Sequence, residues 1–162
     1  MPAAAVFNAS PIIALHKIGA LGLIPSLYDK CLITTDVLAE IGAGENSTAV
    51  MAETKNLRGV EIISDIKVPE ELMEWNLGKG ETSVIAAALM NPGLEVILDD
   101  RAAARCARLY RLHVRGTIGF LLLAKREGKI KEVGQLLQAL VKNDFWISTS
   151  LIRKTLETAG EK

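Results

Sequence analysis

The stretch from Gly80 to Arg105, GETSVIAAALMNPGLEVILDDRAAAR, constrains the fold more than any other. Val84, Ile85, Ala88 and Leu89 recur at helical spacing and predict a helix opening on Gly80-Glu81-Thr82. Asn91-Pro92-Gly93 stops that helix. Val96-Ile97-Leu98 is a short apolar run without alternation, the pattern of a parallel strand covered on both faces. Asp99 and Asp100 follow at the carboxyl end of that strand, the edge where open α/β sheets place their sites. Two adjacent carboxylates repel each other, so they invite a cation.

The same alternation runs along the whole chain. Ala4–Phe7, Cys31–Ile33, Val60–Ile63 and His113–Arg115 read as further strands, and amphipathic helical segments separate them. Ser10-Pro11 predicts a helix start, with Ser10 as N-cap and Pro11 as first helical residue. Thr34 or Thr35 caps a helix over Asp36–Ile41 that carries Glu40. Arg101–Leu112 is expected to be helical, then Ile118–Arg126 with Thr117 as its cap and Gly128 as its stop, then Val133–Lys142. Ser148 caps a last helix over Leu151–Ala159. Strands alternating with helices predict an α/β fold: a three-layer α/β/α sandwich around a mostly parallel sheet of four to five strands. A length of 162 residues suits one domain, 1–162, with 129–162 as a C-terminal helical extension packed on it.

Lys plus Arg and Asp plus Glu both number 19, so no net field draws the protein to nucleic acid, and any such contact needs a local basic surface or a metal. Cys31 and Cys106 lie in apolar segments and are expected as buried free thiols, which suits a cytoplasmic location. Asn8, His16 and Lys17 interrupt the apolar N-terminus, so neither a secretory leader nor a membrane span is expected.

If the strands are parallel, Asn8, Asp99, Asp100 and Thr117 gather at one edge, and Glu40 and Glu81 can reach in from helices above it. Several such oxygens converging form a hard site suited to Mg²⁺ or Mn²⁺, able to activate water at a phosphodiester. Each residue also has a plainer role. Asp99 or Asp100 can cap the helix at Arg101, Thr117 can cap the next, and Glu81 suits the positive end of its own helix dipole. Glu40 alone reads as a solvated residue. Arg101, Arg105 and Arg108 share one helix face and can guide a phosphate backbone, or can simply be solvated. His16 and His113 read as structural, and Trp75 and Trp146 as core or interface residues. Gly78-Lys79-Gly80 is a lone GxG that follows no strand, so a dinucleotide site is not indicated.

The ordered segments NASPIIALHKIG, LAEI, GKGETSVIAAAL, VILDDRAAARCA, VRGTIGFLLLAKREGKI and FWISTSLIRKTLETAGE resemble the PIN-domain proteins, in the branch related to toxin–antitoxin ribonucleases. The resemblance covers nearly the whole chain. It implies an α/β/α fold that cleaves RNA with Mg²⁺ or Mn²⁺ held by acids from separate segments. By position those acids fall at Asn8, Glu40, Glu81 and Asp100 or its neighbour Asp99, with Thr117 as a polar residue near the metal. Asn8 departs from the family pattern, which has aspartate there, and an amide oxygen brings no charge to a cation. The resemblance therefore implies either a metal-dependent ribonuclease or a catalytically degenerate relative that binds RNA or a protein partner. It further implies an antitoxin partner and a homodimer.

Overall fold

The computed structural model describes residues 3–162. Its strands are β1 (Ala4–Phe7), β2 (Lys30–Thr34), β3 (Val60–Ile63), β4 (Glu95–Ile97) and β5 (His113–Arg115). The helices are α1 (Ala9–Lys17), α2 (Ile24–Leu27), α3 (Thr35–Ala43), α4 (Ser47–Asn56), α5 (Glu70–Met73), α6 (Lys79–Met90), α7 (Arg101–Leu109), α8 (Thr117–Arg126), α9 (Gly134–Lys142) and α10 (Thr149–Thr158), with a 3-10 turn at Leu21–Leu23. The five strands form one sheet in the order β3-β2-β1-β4-β5, and every pairing is parallel. Helices flank this sheet in the three-layer arrangement expected.

Strand composition follows position in the sheet. The central strands β1, β2 and β4 are mostly apolar and almost wholly buried, with Glu95 the buried exception, because helices cover them on both sides. The edge strands β3 and β5 carry Glu61, His113 and Arg115 and are largely accessible. The chain builds leftward from β1 to β3, then crosses back to place β4 on the other side of β1. The order therefore reverses between β1 and β4, which makes their carboxyl ends the switch point where open α/β sheets place ligand sites.

Local chemistry sets several helix ends. Thr34 Oγ1 accepts from Val37 N at 3.0 Å and starts α3, and Ser148 Oγ accepts from Leu151 N at 3.1 Å and starts α10. Gly128, at φ +74°, ends α8 in the left-handed conformation. Among the boundaries that differ from the sequence expectation, three bear on the site. Helix α1 begins at Ala9, because Asn8 N is already bonded to Ile97 O at 3.0 Å and the chain turns directly off the sheet. Helix α7 ends at Leu109, where Arg111 takes φ +62° and returns the chain to β5. Helix α8 has Gly116 in the cap position, and Thr117 is its first residue.

Beneath β1, Phe7, Tyr28 and Phe120 pack ring against ring, with centroids 6.0 to 6.4 Å apart. The Tyr28 hydroxyl donates to Glu95, a carboxylate only 5% exposed. Arg115 Nε donates to the same Glu95 oxygen at 2.6 Å. Burial, together with the Glu95 carboxylate, pushes the Tyr28 phenol well above its usual range. Truncating Arg115 would leave that carboxylate buried without its counter-charge, a loss of about 3–5 kcal/mol. The network clamps β5 against β4 immediately before Gly116-Thr117, so it also fixes the edge described next.

Both cysteines are buried free thiols, as expected, and burial raises the Cys31 thiol to about 12. Trp75 packs against the core, whereas Trp146 is 83% exposed and belongs to no core. Among the described residues no single helix is long and apolar enough to cross a membrane.

Candidate functional site

Asn8 leaves β1 at the switch point, with extended backbone at φ −76° and ψ 166°. Its side chain makes no cap bond to α1. The residue is 3% exposed, and its Oδ1 is buried without a hydrogen-bond partner. A buried amide oxygen left unpaired is unfavourable by about 1–3 kcal/mol, so it marks either strain or a place for a missing electrophile.

The two aspartates after β4 have different surroundings. Asp99 accepts from Thr117 N at 2.8 Å and from Thr117 Oγ1 at 2.6 Å. It thereby caps α8 from the neighbouring strand and locks the end of β4 to the end of β5. A Cβ on Gly116 would stand 2.9 Å from Asp99 Oδ1, so the lock needs glycine there. Burial raises the pKa of Asp99, and the two Thr117 bonds oppose the shift. Asp100 instead accepts from Ala103 N at 2.9 Å and caps α7.

The two glutamates meet at the start of α6. Glu40, on α3, accepts from Gly80 N at 3.0 Å, and Glu81 reaches back to accept from Gly78 N at 3.2 Å. A Cβ on Gly80 would collide with the Glu40 carboxylate, so glycine is what lets α3 and α6 approach this closely. Ser83 adds a second tie: its hydroxyl donates to Gly80 O at 2.7 Å and pairs with Thr34 Oγ1 at 2.7 Å. Burial is the largest influence on Glu81 and raises its pKa. The charges of Asp100 and Glu40 raise it further, against the Gly78 bond. Glu81 therefore lies within electrostatic reach of both Glu40 and Asp100. Asp99 and Thr117 form a separate pair beside them.

None of the five ion pairs among the described residues involves any of these acids. Nor are any three His, Cys, Asp or Glu side chains among those residues gathered closely enough to hold a metal ion. Glu40, Glu81 and Asp100 each place an oxygen on a backbone N–H instead. By chemistry the donor set still fits a hard cation: it is all oxygen, acidic and without a counter-charge. The unpartnered Asn8 Oδ1 at the switch point points the same way.

Next to the acids is a cleft of about 590 Å³, lined by Asp99, Gly116, Arg101, Arg105 and Arg108 among others. The apolar side of α7, Ala103, Ala104, Cys106 and Ala107, is buried against the sheet, which leaves the three arginines exposed together. They make no ion pair among the described residues. His16 is tied to Glu53 at 2.7 Å, in keeping with a structural role, and His113 is exposed on β5. A roomier cleft of about 720 Å³ lies between α9 and α10 and includes none of these acids or arginines.

Sequence reasoning overlooked Gly80, Ser83 and Gly116 as parts of the site. The signal for Gly80 was the GKGE run at a helix start, where a residue without a side chain admits a carboxylate from elsewhere. Ser83, one turn into the same helix, offered a hydroxyl on a face otherwise made of Val and Ala.

A family model described as a PIN domain matches residues 4–161. The chain belongs to the PIN-domain family. No curated protein matches it. The PIN domain is a nuclease-type fold whose members typically use divalent metals, and the family suggests RNA as what is bound.

Proposed function

We propose that this protein is a metal-dependent ribonuclease that hydrolyses RNA phosphodiester bonds, of the kind that serves as the toxin of a toxin–antitoxin pair. One observation carries the reading: Asn8 Oδ1, directly after β1 at the switch point of a parallel sheet, is buried without a hydrogen-bond partner, while Glu81 feels the charges of Glu40 and Asp100 and no ion pair offsets those acids among the described residues. Glu40, Glu81 and Asp100 hold Mg²⁺ or Mn²⁺, with the Asn8 amide oxygen assisting. When bound, that cation supplies an activated water and offsets charge on the phosphate. Asp99, locked to Thr117, holds the end of β4, from which Asp100 follows directly. Arg101, Arg105 and Arg108 hold the RNA backbone alongside. A cytoplasmic location, a homodimer and an antitoxin partner belong to the same proposal.

The test is RNA cleavage by the natural chain and by Asn8→Asp, with Mn²⁺ and with chelator. Chelator-sensitive cleavage supports the reading. Absence of cleavage by both forms in Mn²⁺ ends it. A second reading, a catalytically degenerate protein that binds RNA or a partner, is favoured by the acids being turned onto backbone N–H groups. Calorimetric titration with Mn²⁺ separates the two, because micromolar binding counts against the second.

A further inference from the structure

Two hydroxyls are buried where α3 meets α6: Thr34, which caps α3, and Ser83, one turn into α6. Ser83 is the polar member of the buried residues of α6, which are otherwise Gly80, Val84, Ile85 and three alanines. A buried hydroxyl is unfavourable unless it is hydrogen-bonded. The direction of these bonds follows from counting hydrogens. A serine hydroxyl has one hydrogen to give. Ser83 gives it to Gly80 O at 2.7 Å, so in its 2.7 Å contact with Thr34 Oγ1 it is the acceptor and Thr34 the donor. Thr34 Oγ1 in turn accepts from Val37 N at 3.0 Å. The bonds run one way, from the Val37 N–H through Thr34 and Ser83 to Gly80 O, and bonds aligned in this manner strengthen one another.

Both ends of this relay lead to Glu40. Val37 lies in the first turn of α3, and Glu40 follows one turn later in the same helix. Gly80 takes the relay on its carbonyl, and its N–H donates to Glu40 Oε1 at 3.0 Å. That N–H belongs to the first turn of α6, where a helix offers no partner of its own. The ring therefore closes, from Glu40 to Gly80, Ser83, Thr34 and Val37 and along α3 back to Glu40. Packing alone asks for no hydroxyl at position 83, where alanine is the better helix former. We propose that Thr34 and Ser83 are positioning residues, whose relay fixes α3 against α6 and so holds the Glu40 carboxylate at the Gly80 N–H. The effect of the relay on cleavage rests on the ribonuclease reading above; the fixing of Glu40 does not.

The experiment follows hydrogen exchange of the Gly80 amide by NMR in the isotope-labelled full chain, beside RNA cleavage in Mn²⁺. Glu40→Ala removes the acceptor of the Gly80 N–H and sets the value for full release. Ser83→Ala keeps Glu40 and cuts the relay. It is expected to speed Gly80 exchange by about 2- to 12-fold toward the Glu40→Ala value, the equivalent of one hydrogen bond of ordinary net strength. Its kcat is expected to fall by about 10- to 100-fold with KM unchanged. Thr34→Ser loses a methyl group but keeps the hydroxyl, and is expected to match the natural chain in both measurements. Thr34→Val cuts the relay from the other side and is expected to release Gly80 as Ser83→Ala does, so the test does not depend on one variant folding. Gly80 exchange that is unchanged in Ser83→Ala and Thr34→Val overturns the proposal. Faster exchange with undiminished cleavage overturns the role of the relay in the reaction. Faster exchange in a protein that does not cleave RNA, either as the natural chain or as Asn8→Asp, supports the fixing of Glu40 and ends the ribonuclease reading alone.

Discussion

Glu81 and Glu161 each turn a carboxylate onto backbone N–H groups at the start of a helix, yet their proton affinities move in opposite directions. Glu161 accepts from Val133 N at 2.8 Å and Gly134 N at 2.9 Å, and Lys125 Nζ sits 2.6 Å from the same carboxylate. The Lys125 bond, then the two backbone bonds, hold Glu161 down to about 2. Glu81 accepts one backbone bond, but its other neighbours are Asp100 and Glu40, and its pKa is raised. The C-terminal clasp is electrostatically complete, with acid, helix dipole and ammonium matched. At the sheet edge the acid and the dipole are present and the positive charge is missing. A chain that builds the complete version elsewhere, from the same residue types, makes the incomplete version informative, because uncompensated acids with raised pKa are candidates for a functional site.

The sharpest way to break the comparison is Glu81→Gln. Cleavage of RNA in Mn²⁺ is expected to fall by more than about 100-fold, beyond the 10- to 100-fold usual for residues that only support a ligand. Stability is expected to move the other way. A carboxyl whose folded pKa is raised holds its proton more tightly in the folded state, so stability declines as pH rises from the ordinary 4.5 through the raised value. At neutral pH Glu81 therefore works against folding, and the glutamine variant melts higher. Activity lost together with a lower Tm would mean that Glu81 is simply structural.

Next in size is Gly80→Ala. In a helix the change from glycine to alanine is ordinarily favourable by about 1 kcal/mol. Here the added Cβ drives Glu40 away from the Gly80 N–H, so cleavage is expected to fall by about 10- to 100-fold. A variant that cleaves as well as the natural chain would show that Glu40 need not stand where Gly80 holds it.

How much of this was legible beforehand depends on the distance over which each signal acts. The central strands could be read because their apolar runs are bounded by residues such as Asn8 or Pro92-Gly93, and the caps at Asp100 and Ser148 are local chemistry. The start of α1 was set by a pairing the sequence does not display. Ser10-Pro11 is a good local signal, but the bond from Asn8 N to Ile97 O turns the chain two residues earlier. The site divides in the same way. That a carboxylate pair ends β4 was plain, whereas the separate roles of Asp99 and Asp100 depend on Thr117, another strand away. Glu40 meets Gly80 across 40 positions, and Glu95 meets Tyr28 across 67. No periodicity or spacing encodes such contacts.

A smaller effect is expected from Arg105→Ala, and it sharpens the comparison from the cationic side. Each phosphate contact to a single strand contributes about 0.7 to the slope of log affinity against log salt. The variant should lose about that much in slope with single-stranded RNA in chelator, measured by fluorescence anisotropy over a salt series. A uniform loss of affinity with an unchanged slope would remove Arg105 from the phosphate path.

The finest discrimination comes from Glu161→Gln. Glutamine keeps the shape and an oxygen for one backbone N–H but cannot pair with Lys125. Since the folded pKa of Glu161 is depressed to about 2, its contribution is fully present above the ordinary value of 4.5 and fades as pH falls toward about 2. Urea denaturation at pH 7 should show the variant less stable than the natural chain, and the gap should narrow stepwise at pH 4 and pH 3. The Glu81→Gln variant should start from the opposite sign, more stable at pH 7, and likewise converge on the natural chain as acid protonates Glu81. Two glutamines, one at each helix start, would thus leave mirror-image stability profiles. Profiles of the same sign would mean that the edge acids are balanced by something within the fold, and the case for a missing cation would lose its electrostatic basis.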